Sequence, residues 1–568
     1  MTFKNLALYL EKLEKTTSRL EIIGILADLF KKITAVEIDK TVYLVLGQLA
    51  PNYQGIVFNL AEKMVLRVLA QAYGVGVDKV REMYKKSGDL GVVAEELGRG
   101  RKGNGMEVAE VYAELLKIAQ DSGESSQERK VTAMADLLKN LDSLSARYVT
   151  RIPLGKLRLG FSDKTILDAL SWMEVGDRSR KAKIETAYQV IPDAGLLARE
   201  VKKNGIDKAC ANVSPKVGVP VLPMLAQRIK SPVEMIAKMG RVLVEPKFDG
   251  LRVLIHFQKP DFIQAFTRNL NDVAAMFPEL EKIGKFLEVK SVILDTEACG
   301  MDAERLQLAD FQTTMQRRRK HNIAQKAISI PIKFQVFDVL FLDGSNLMPE
   351  PYFKRREILK KIVKKNDLLE IDEAVVTKNP TIINKEFRRQ ITAGLEGVIV
   401  KKYDTPYTPG RTGWRWVKMK QEEGASAKLT DTIDALVMGY SAGKGKRASF
   451  GLGQFLVGIK KSEKYQTVTK IGTGLSDEQF REMKRRLTKL EVKEKPQEYV
   501  VDKNYYPDHW VKPSLVVEIA ADEITRSPIH SAGLALRFPR LIKFRDDKKP
   551  EQTTTLKELK KLLDLQKN

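Results

Sequence analysis

Glu245-Pro246-Lys247-Phe248-Asp249-Gly250-Leu251-Arg252 sets a lysine just before an Asp-Gly pair and an arginine just after it. β-Branched runs flank it at 242–245 and 252–256, so the segment reads as two strands joined at an Asp-Gly turn. In a chain of 568 residues a chance Lys-x-Asp-Gly is expected roughly 0.1 times. Alone the match is suggestive, and a hairpin turn flanked by solvated charges is an equal reading.

Side chains two apart on a strand share a face. Glu245 and Lys247 therefore point the same way, as do Asp295 with Glu297 and Lys418 with Lys420. Such pairs are costly if buried and uninformative if solvated, but they make sense lining a polar cleft. A lysine becomes a nucleophile when its amine is unprotonated, and neighbouring cations or desolvation favour that state. Arg252, Lys418, Lys420 and a bound Mg²⁺ would supply that bias and stabilise charge on a transferred phosphoryl group. Glu297 and Glu396 are hard oxygen ligands suited to Mg²⁺. Phe337 is either a base-stacking ring or a core aromatic.

Further short β-branched runs at 292–296, 334–341 and 398–400, with helical patches around 303–326 and 353–365, make the middle of the chain α+β with a mainly antiparallel sheet. The preceding part is helical. Phe3, Leu6, Leu10 and Leu13 share a face, and Ser18 with Glu21 makes a capping box for a helix carrying Leu20, Ile23, Leu26, Phe30 and Ile33. More helical runs lie at 57–73, 106–120, 126–140 and 164–173. After a polar stretch at 421–429, strands are predicted at 435–439, 454–458, 467–471 and 515–519 with one helix at 476–489, a pattern that suits a small barrel, the oligonucleotide-binding (OB) fold being the natural candidate. The expected domains are 1–217, all-helical; 218–423, α+β; and 424–568, an OB-fold β-barrel with a C-terminal helix.

Lys+Arg at 97 against Asp+Glu at 73 gives a formal charge of +24, which favours a polyanion such as nucleic acid in a salt-dependent way. A solvated Lys/Glu-rich surface is the alternative. Cys210 and Cys299, with four histidines, form no zinc-site spacing. With no leader-like start and no apolar run long enough to span a bilayer, the expectation is a soluble protein of a reducing, cytoplasmic compartment.

The ordered motifs resemble the nucleotidyltransferase superfamily and, within it, the ATP-dependent DNA ligases of the archaeal and eukaryotic replicative type. Glu245 to Arg252 resembles the nucleophile motif, and Phe266-Thr-Arg268-Asn269 the next. Leu294-Asp295-Thr-Glu297 resembles the carboxylate motif and Phe337-Asp338 the base-stacking motif. Glu396-Gly397-Val-Ile-Val-Lys401 and Trp416-Val-Lys418-Met-Lys420 resemble the two later ones. The likeness covers nearly the whole chain. Asp431 to Gly439, Gly443 to Arg447, Ile471 to Gly474, and the last motif at Leu536 to Arg540 and Arg545 to Lys548 resemble the family's OB-fold domain.

The resemblance implies an adenylation domain in the middle of the chain and a helical DNA-binding domain before it. It implies that Lys247 is adenylylated with ATP as co-substrate, that Glu245 reads the adenine amino group, and that Phe337 stacks on the ring. Arg252 and Arg268 would hold ribose or phosphate, Glu297 the ribose or a metal, and Glu396 a metal, Mg²⁺ or another divalent cation. Lys401, Lys418 and Lys420 would neutralise the α-phosphate. Because Glu396 and Lys401 are five apart, a regular strand would put them on opposite faces, and a bend at Gly397 is expected. Where many relatives carry an arginine, this chain has Thr412, with Arg411 and Arg415 as substitutes, and Gln421-Glu422-Glu423 replaces the family's usual continuation after Lys420.

The stretch 147–160, with Arg151, Lys156 and Arg158, resembles the helical domain that encircles the duplex, its cations suited to phosphate contacts. The expected partner is nicked double-stranded DNA, bound by a monomer. The resemblance admits a sliding clamp, which the sequence itself does not show. The run Arg317 to Lys320 could pass for a nuclear address, but its position fits the ligase pattern. An RNA ligase or an mRNA-capping guanylyltransferase would share the lysine chemistry but generally lacks the helical domain. NAD-dependent ligases carry a four-cysteine zinc module that two cysteines cannot build. A DNA-binding protein without catalysis would need no aligned nucleophile and carboxylates.

Overall fold

Apolar residues recurring every three or four positions build the first part of the chain as packed helices. The computed structural model describes residues 1–155, 157–211, 213–302, 308–309, 311–317, 323–411, 413–420, 432–443, 450–472 and 474–565. Phe3, Leu6, Leu10 and Leu13 are buried on the first helix, Phe3–Glu14. In the second, Arg19–Lys32, the Ser18 hydroxyl caps the Glu21 amide as expected, while the Glu21 carboxylate accepts from Thr16 Oγ1. Leu20 is 57% exposed, and the buried face runs instead through Ile22, Ile23, Leu26, Leu29 and Phe30. Helices at Glu62–Tyr73, Val108–Gln120, Ser126–Lys139 and Asp163–Val175 fall close to the predicted runs. Together with Ile38–Val45, Ser143–Arg151 and Ala194–Ala209 they share one apolar core.

Two sheets follow. We label the strands that shape the site β1 (Val242–Lys247), β2 (Leu251–Gln258), β3 (Phe262–Thr267), β4 (Ser291–Gly300), β5 (Ile332–Leu342), β6 (Gly397–Lys402) and β7 (Trp416–Lys420). One sheet runs Val375–Thr377, β1, β6, β7, Gln227–Arg228; the other runs β3, β2, β4, β5, Ser345–Asn346, with Leu369–Ile371 also beside β5. The pairings among β1 to β7 are antiparallel.

Alternation along the strands decides the faces of the first sheet. Val242, Val244, Val398, Val400 and Val417 are buried with Met235, Met239 and Ile383 of the helices Pro232–Met239 and Pro380–Thr392. The strand residues between them therefore turn to the other face. Residues 1 to 420 form one compact unit and 421 to 568 a second. In the second, Ile433–Ser441 pairs with Gln454–Lys461, His509–Val511 and Val516–Ala520, which curls the sheet around Val437, Phe455, Val457 and Val517. The helices Asp477–Leu490 and Leu556–Leu565 complete it. Among the described residues no helix is long and apolar enough to cross a membrane.

Candidate active site

Three rungs cross the first sheet, each of three residues opposite one another. They are Lys247, Gly397 and Lys420; Glu245, Ile399 and Lys418; and Leu243, Lys401 and Trp416. Glu396 precedes the first rung. Gly397 has φ of 138°, and a Cβ there would lie 2.2 Å from the Met419 carbonyl oxygen, so only glycine lets the chain turn here. That is the turn expected between Glu396 and Lys401. The Glu396 amide donates to the Lys247 carbonyl (3.2 Å), and its carboxylate pairs with Lys247 Nζ. Burial raises the Glu396 carboxyl, but Lys247, together with Lys420 and Asp249, outweighs it and the net shift is downward. Burial, with Lys247 and Lys420 close by, lowers Lys418 below the ordinary lysine value.

The second sheet supplies the facing wall. Arg252 stands opposite Glu297. Between the pairs Asp295–Asp338 and Thr296–Val336 the register slips, leaving Phe337 as an extra residue in a β-bulge; a bulge re-aims its side chain. Burial, assisted by Asp295 and Asp249 and opposed by Lys247 and Arg252, pushes Glu297 up to about 7. A Cβ on Gly250 would sit 2.5 Å from the Ala298 carbonyl oxygen, so the Asp249-Gly250 turn can press against β4 only with glycine there.

These walls enclose a cavity of about 670 Å³. Of the residues singled out from sequence, Glu245, Lys247, Arg252, Arg268, Glu297, Phe337, Lys401 and Lys418 line it. Asn269 and Trp416, which the motifs contain without an assigned role, also line it, as do Ile399 and Asp372, which the sequence did not single out. Ile399 and Trp416 follow from the same alternation that picked out the lysines.

Several charged residues are already partnered. Arg252 grips Asp295 with Nε (2.9 Å) and Nη2 (2.6 Å) and donates to the Met224 carbonyl (2.7 Å). Lys401, expected at a phosphate, is 2% exposed and pairs with Glu245 (2.6 Å), its ammonium 4.5 Å from the Phe337 ring centre. It belongs to the cluster around the Glu245 carboxylate rather than to the row of Lys418 and Lys420.

The helix Tyr352–Ile362 anchors that cluster. Tyr352 Oη is within hydrogen-bond reach of Glu245 Oε1 and of the Phe337 carbonyl (2.8 Å). Arg356 Nη1 donates to Glu245 Oε1 (3.2 Å) and pairs with Asp372. Arg355 grips Asp338, the neighbour of Phe337, at 2.7 and 2.9 Å. Burial and the nearby Glu245 push Asp372 up to about 8, against Arg356 and Lys401. The sequence signal was a tyrosine and two arginines at three- and four-residue spacing on one helical face.

Elsewhere the expectations divide. Arg151 is 1% exposed, held by Glu14 and Asp89, so its expected role as a phosphate contact is corrected to an internal one. Arg158 is exposed and donates to the Gly88 carbonyl (2.8 Å), while Lys156 lies outside the described residues. Arg317 is buried against Glu279 and the Ile330 carbonyl, so it is a structural residue; 318–320 lie outside the described residues. Thr412 and the Arg411 side chain also lie outside them, and Arg415 donates to Thr408 Oγ1. In the second unit Arg545 (2.9 Å) and Lys548 both pair with Asp434, while Lys446 and Arg447 are not among the described residues.

Comparisons agree along the chain. A family model described as "DNA ligase N terminus" matches residues 2–171, one described as "ATP dependent DNA ligase domain" matches 223–420, and one described as "ATP dependent DNA ligase C terminal region" matches 448–548. A protein of Dictyoglomus turgidum described as "Probable DNA ligase" is 39% identical over 570 positions, covering 98% of this chain and 97% of its own. The "DNA ligase" of Saccharolobus solfataricus is 35% identical over 586 positions, covering 98% and 96%. The solved structure "Pmar-Lig_PreS3", 18% identical, shares the fold with a TM-score of 0.55 over 95% of this chain and 99% of that one. The chain belongs to the ATP-dependent DNA ligase family.

Proposed function

We propose that the cavity binds ATP and that Lys247 carries its AMP to the 5'-phosphate of a nicked duplex. Lys247 Nζ, having lost its proton, attacks the α-phosphorus; a P–N bond forms, the bond to the β-phosphate oxygen breaks, and pyrophosphate leaves. The DNA 5'-phosphate then takes AMP from Lys247, and the 3'-hydroxyl displaces AMP to form the phosphodiester. The pairing of Lys247 with Glu396 in the wall of a cavity that also holds Glu245, Phe337 and Lys418 carries this reading.

Glu245 would accept from the adenine amino group, with Phe337 and Ile399 flanking the ring. Arg268 and Lys418 in the lining, with Lys420, would neutralise phosphate charge. Arg252, fixed by Asp295, would meet the ribose, and Arg411 would supply the contact that Thr412 lacks. Glu297 and Glu396 would hold a divalent cation. Among the described residues no group of three or more His, Cys, Asp or Glu could hold a metal by itself. A site of two carboxylates completed by water and phosphate suits Mg²⁺, which would offset charge on the phosphates.

Residues 1–217 would grip the duplex through cations such as Arg158, 218–423 would carry out adenylation, and 424–568 would be the OB-fold domain, acting in a monomer. Incubation with α-labelled ATP, followed by sealing of a singly nicked duplex, tests the proposal. Acid-stable label on the wild type and none on Lys247→Ala is expected; equal label on both would refute it.

A further inference from the structure

Adenine and guanine differ in the hydrogen-bonding sense of their edges. A carboxylate can only accept, so it suits the adenine amino group and repels the guanine carbonyl at the same ring position. Guanine also carries N–H donors further along that edge, and a carboxylate free to swing could serve those instead. Selection of adenine by Glu245 therefore depends on what holds its carboxylate still.

One helical face holds one oxygen of Glu245, and Lys401, which also donates to Tyr352 Oη (2.8 Å), meets the other. Glu245 Oε1 is met by Tyr352 Oη and by Arg356 Nη1 (3.2 Å), leaving Oε2 beside Lys401 (2.6 Å), which itself lines the cavity. Tyr352 Oη also reaches the Phe337 carbonyl (2.8 Å), and Arg355 clamps the adjacent Asp338. The edge-reading carboxylate and the stacking ring are thus tied to the same turn of helix, and Arg356 is held in turn by Asp372.

Resting on the reading of the cavity as the ATP site, we infer that Tyr352 and Arg356 are positioning residues for base selection, fixing Glu245 so that the site takes adenine and refuses guanine. A site that hydrogen-bonds one group strongly rejects a ligand that leaves its buried polar atoms unmatched. Loosening the carboxylate should cost ATP more than it costs GTP.

The test measures lysine–nucleotide formation by the full chain with α-labelled ATP and GTP over a concentration series, for the wild type, Tyr352→Phe, Arg356→Lys and Glu245→Gln. Tyr352→Phe and Arg356→Lys should each lower the ATP-to-GTP ratio of kcat/KM by about tenfold, the size expected for a lost hydrogen bond to a charged group. The change should lie mainly in KM for ATP, whereas general damage would reduce both nucleotides alike. If Tyr352→Phe does not fold, Arg356→Lys decides. A ratio unchanged within about twofold in the folded variants, with Glu245→Gln lowering it, overturns the scaffold and leaves the base-reading role intact. An unchanged ratio in Glu245→Gln as well overturns both.

Discussion

Lys247 Nζ and the Glu396 carboxylate form an ion pair where the end of β1 meets the start of β6, and Gly397 creates the turn that brings them together. Glu396→Ala should remove this partner and a candidate metal ligand at once. We expect lysine–AMP formation to fall by about 10²-fold or more, the range for losing a group that stabilises transferring charge. Rapid-quench labelling with ATP checks this, and a wild-type rate in the folded variant would assign the pair a passive role.

Gly397→Ala isolates the geometry from the charge. The new Cβ would meet the Met419 carbonyl at 2.2 Å on a backbone with φ of 138°. Destabilisation of about 2 to 4 kcal/mol is expected from strain and clash together. Urea unfolding of the full chain would show an earlier transition; an unchanged midpoint would mean that β6 and β7 can separate cheaply.

The alternation that made Glu245, Lys247, Lys418 and Lys420 legible works because the opposite face of the same strands packs on two helices. Periodicity speaks wherever burial is one-sided. It could not say that Phe337 stands in a bulge, because a register slip depends on the partner strand, β4. Nor could it tell a cation facing solvent or ligand from one answering a buried carboxylate. Arg252 and Asp295 are 43 positions apart, Arg151 and Asp89 62, and only the fold joins them. Tyr352, Arg355 and Arg356 were missed for the same reason, since a helix rich in lysine and arginine reads as solvated.

Arg151 and Arg158 should behave oppositely. Arg151→Ala leaves Asp89 and Glu14 without their shared guanidinium, and breaking such a buried pair costs about 3 to 5 kcal/mol. Arg158→Ala removes an exposed cation. It should leave thermal unfolding nearly unchanged, weaken duplex binding and lower the salt-dependence slope by about 1. Melting curves and DNA binding titrated against salt distinguish the two; a large loss of melting temperature in Arg158→Ala would deny it the role of a phosphate contact.

Glu297 makes a signed prediction about pH. Its carboxyl rises from an ordinary 4.5 to about 7 in the folded chain, chiefly through burial. Between those values the native state holds a proton that the unfolded state has released, so this group lowers stability as pH rises through that window. Glu297→Gln removes the titration while keeping the size and hydrogen-bonding capacity of the side chain. Without nucleotide or metal, the variant should gain melting temperature relative to wild type between pH 5 and pH 8, where ionising the half-buried, cavity-lining carboxylate costs the wild type most. An equal difference at both values would place the Glu297 carboxylate in water rather than in the closed wall opposite Arg252. A bound cation should reverse the effect by favouring the ionised form, so adding Mg²⁺ with ATP should stabilise the wild type at pH 8 and leave the variant behind.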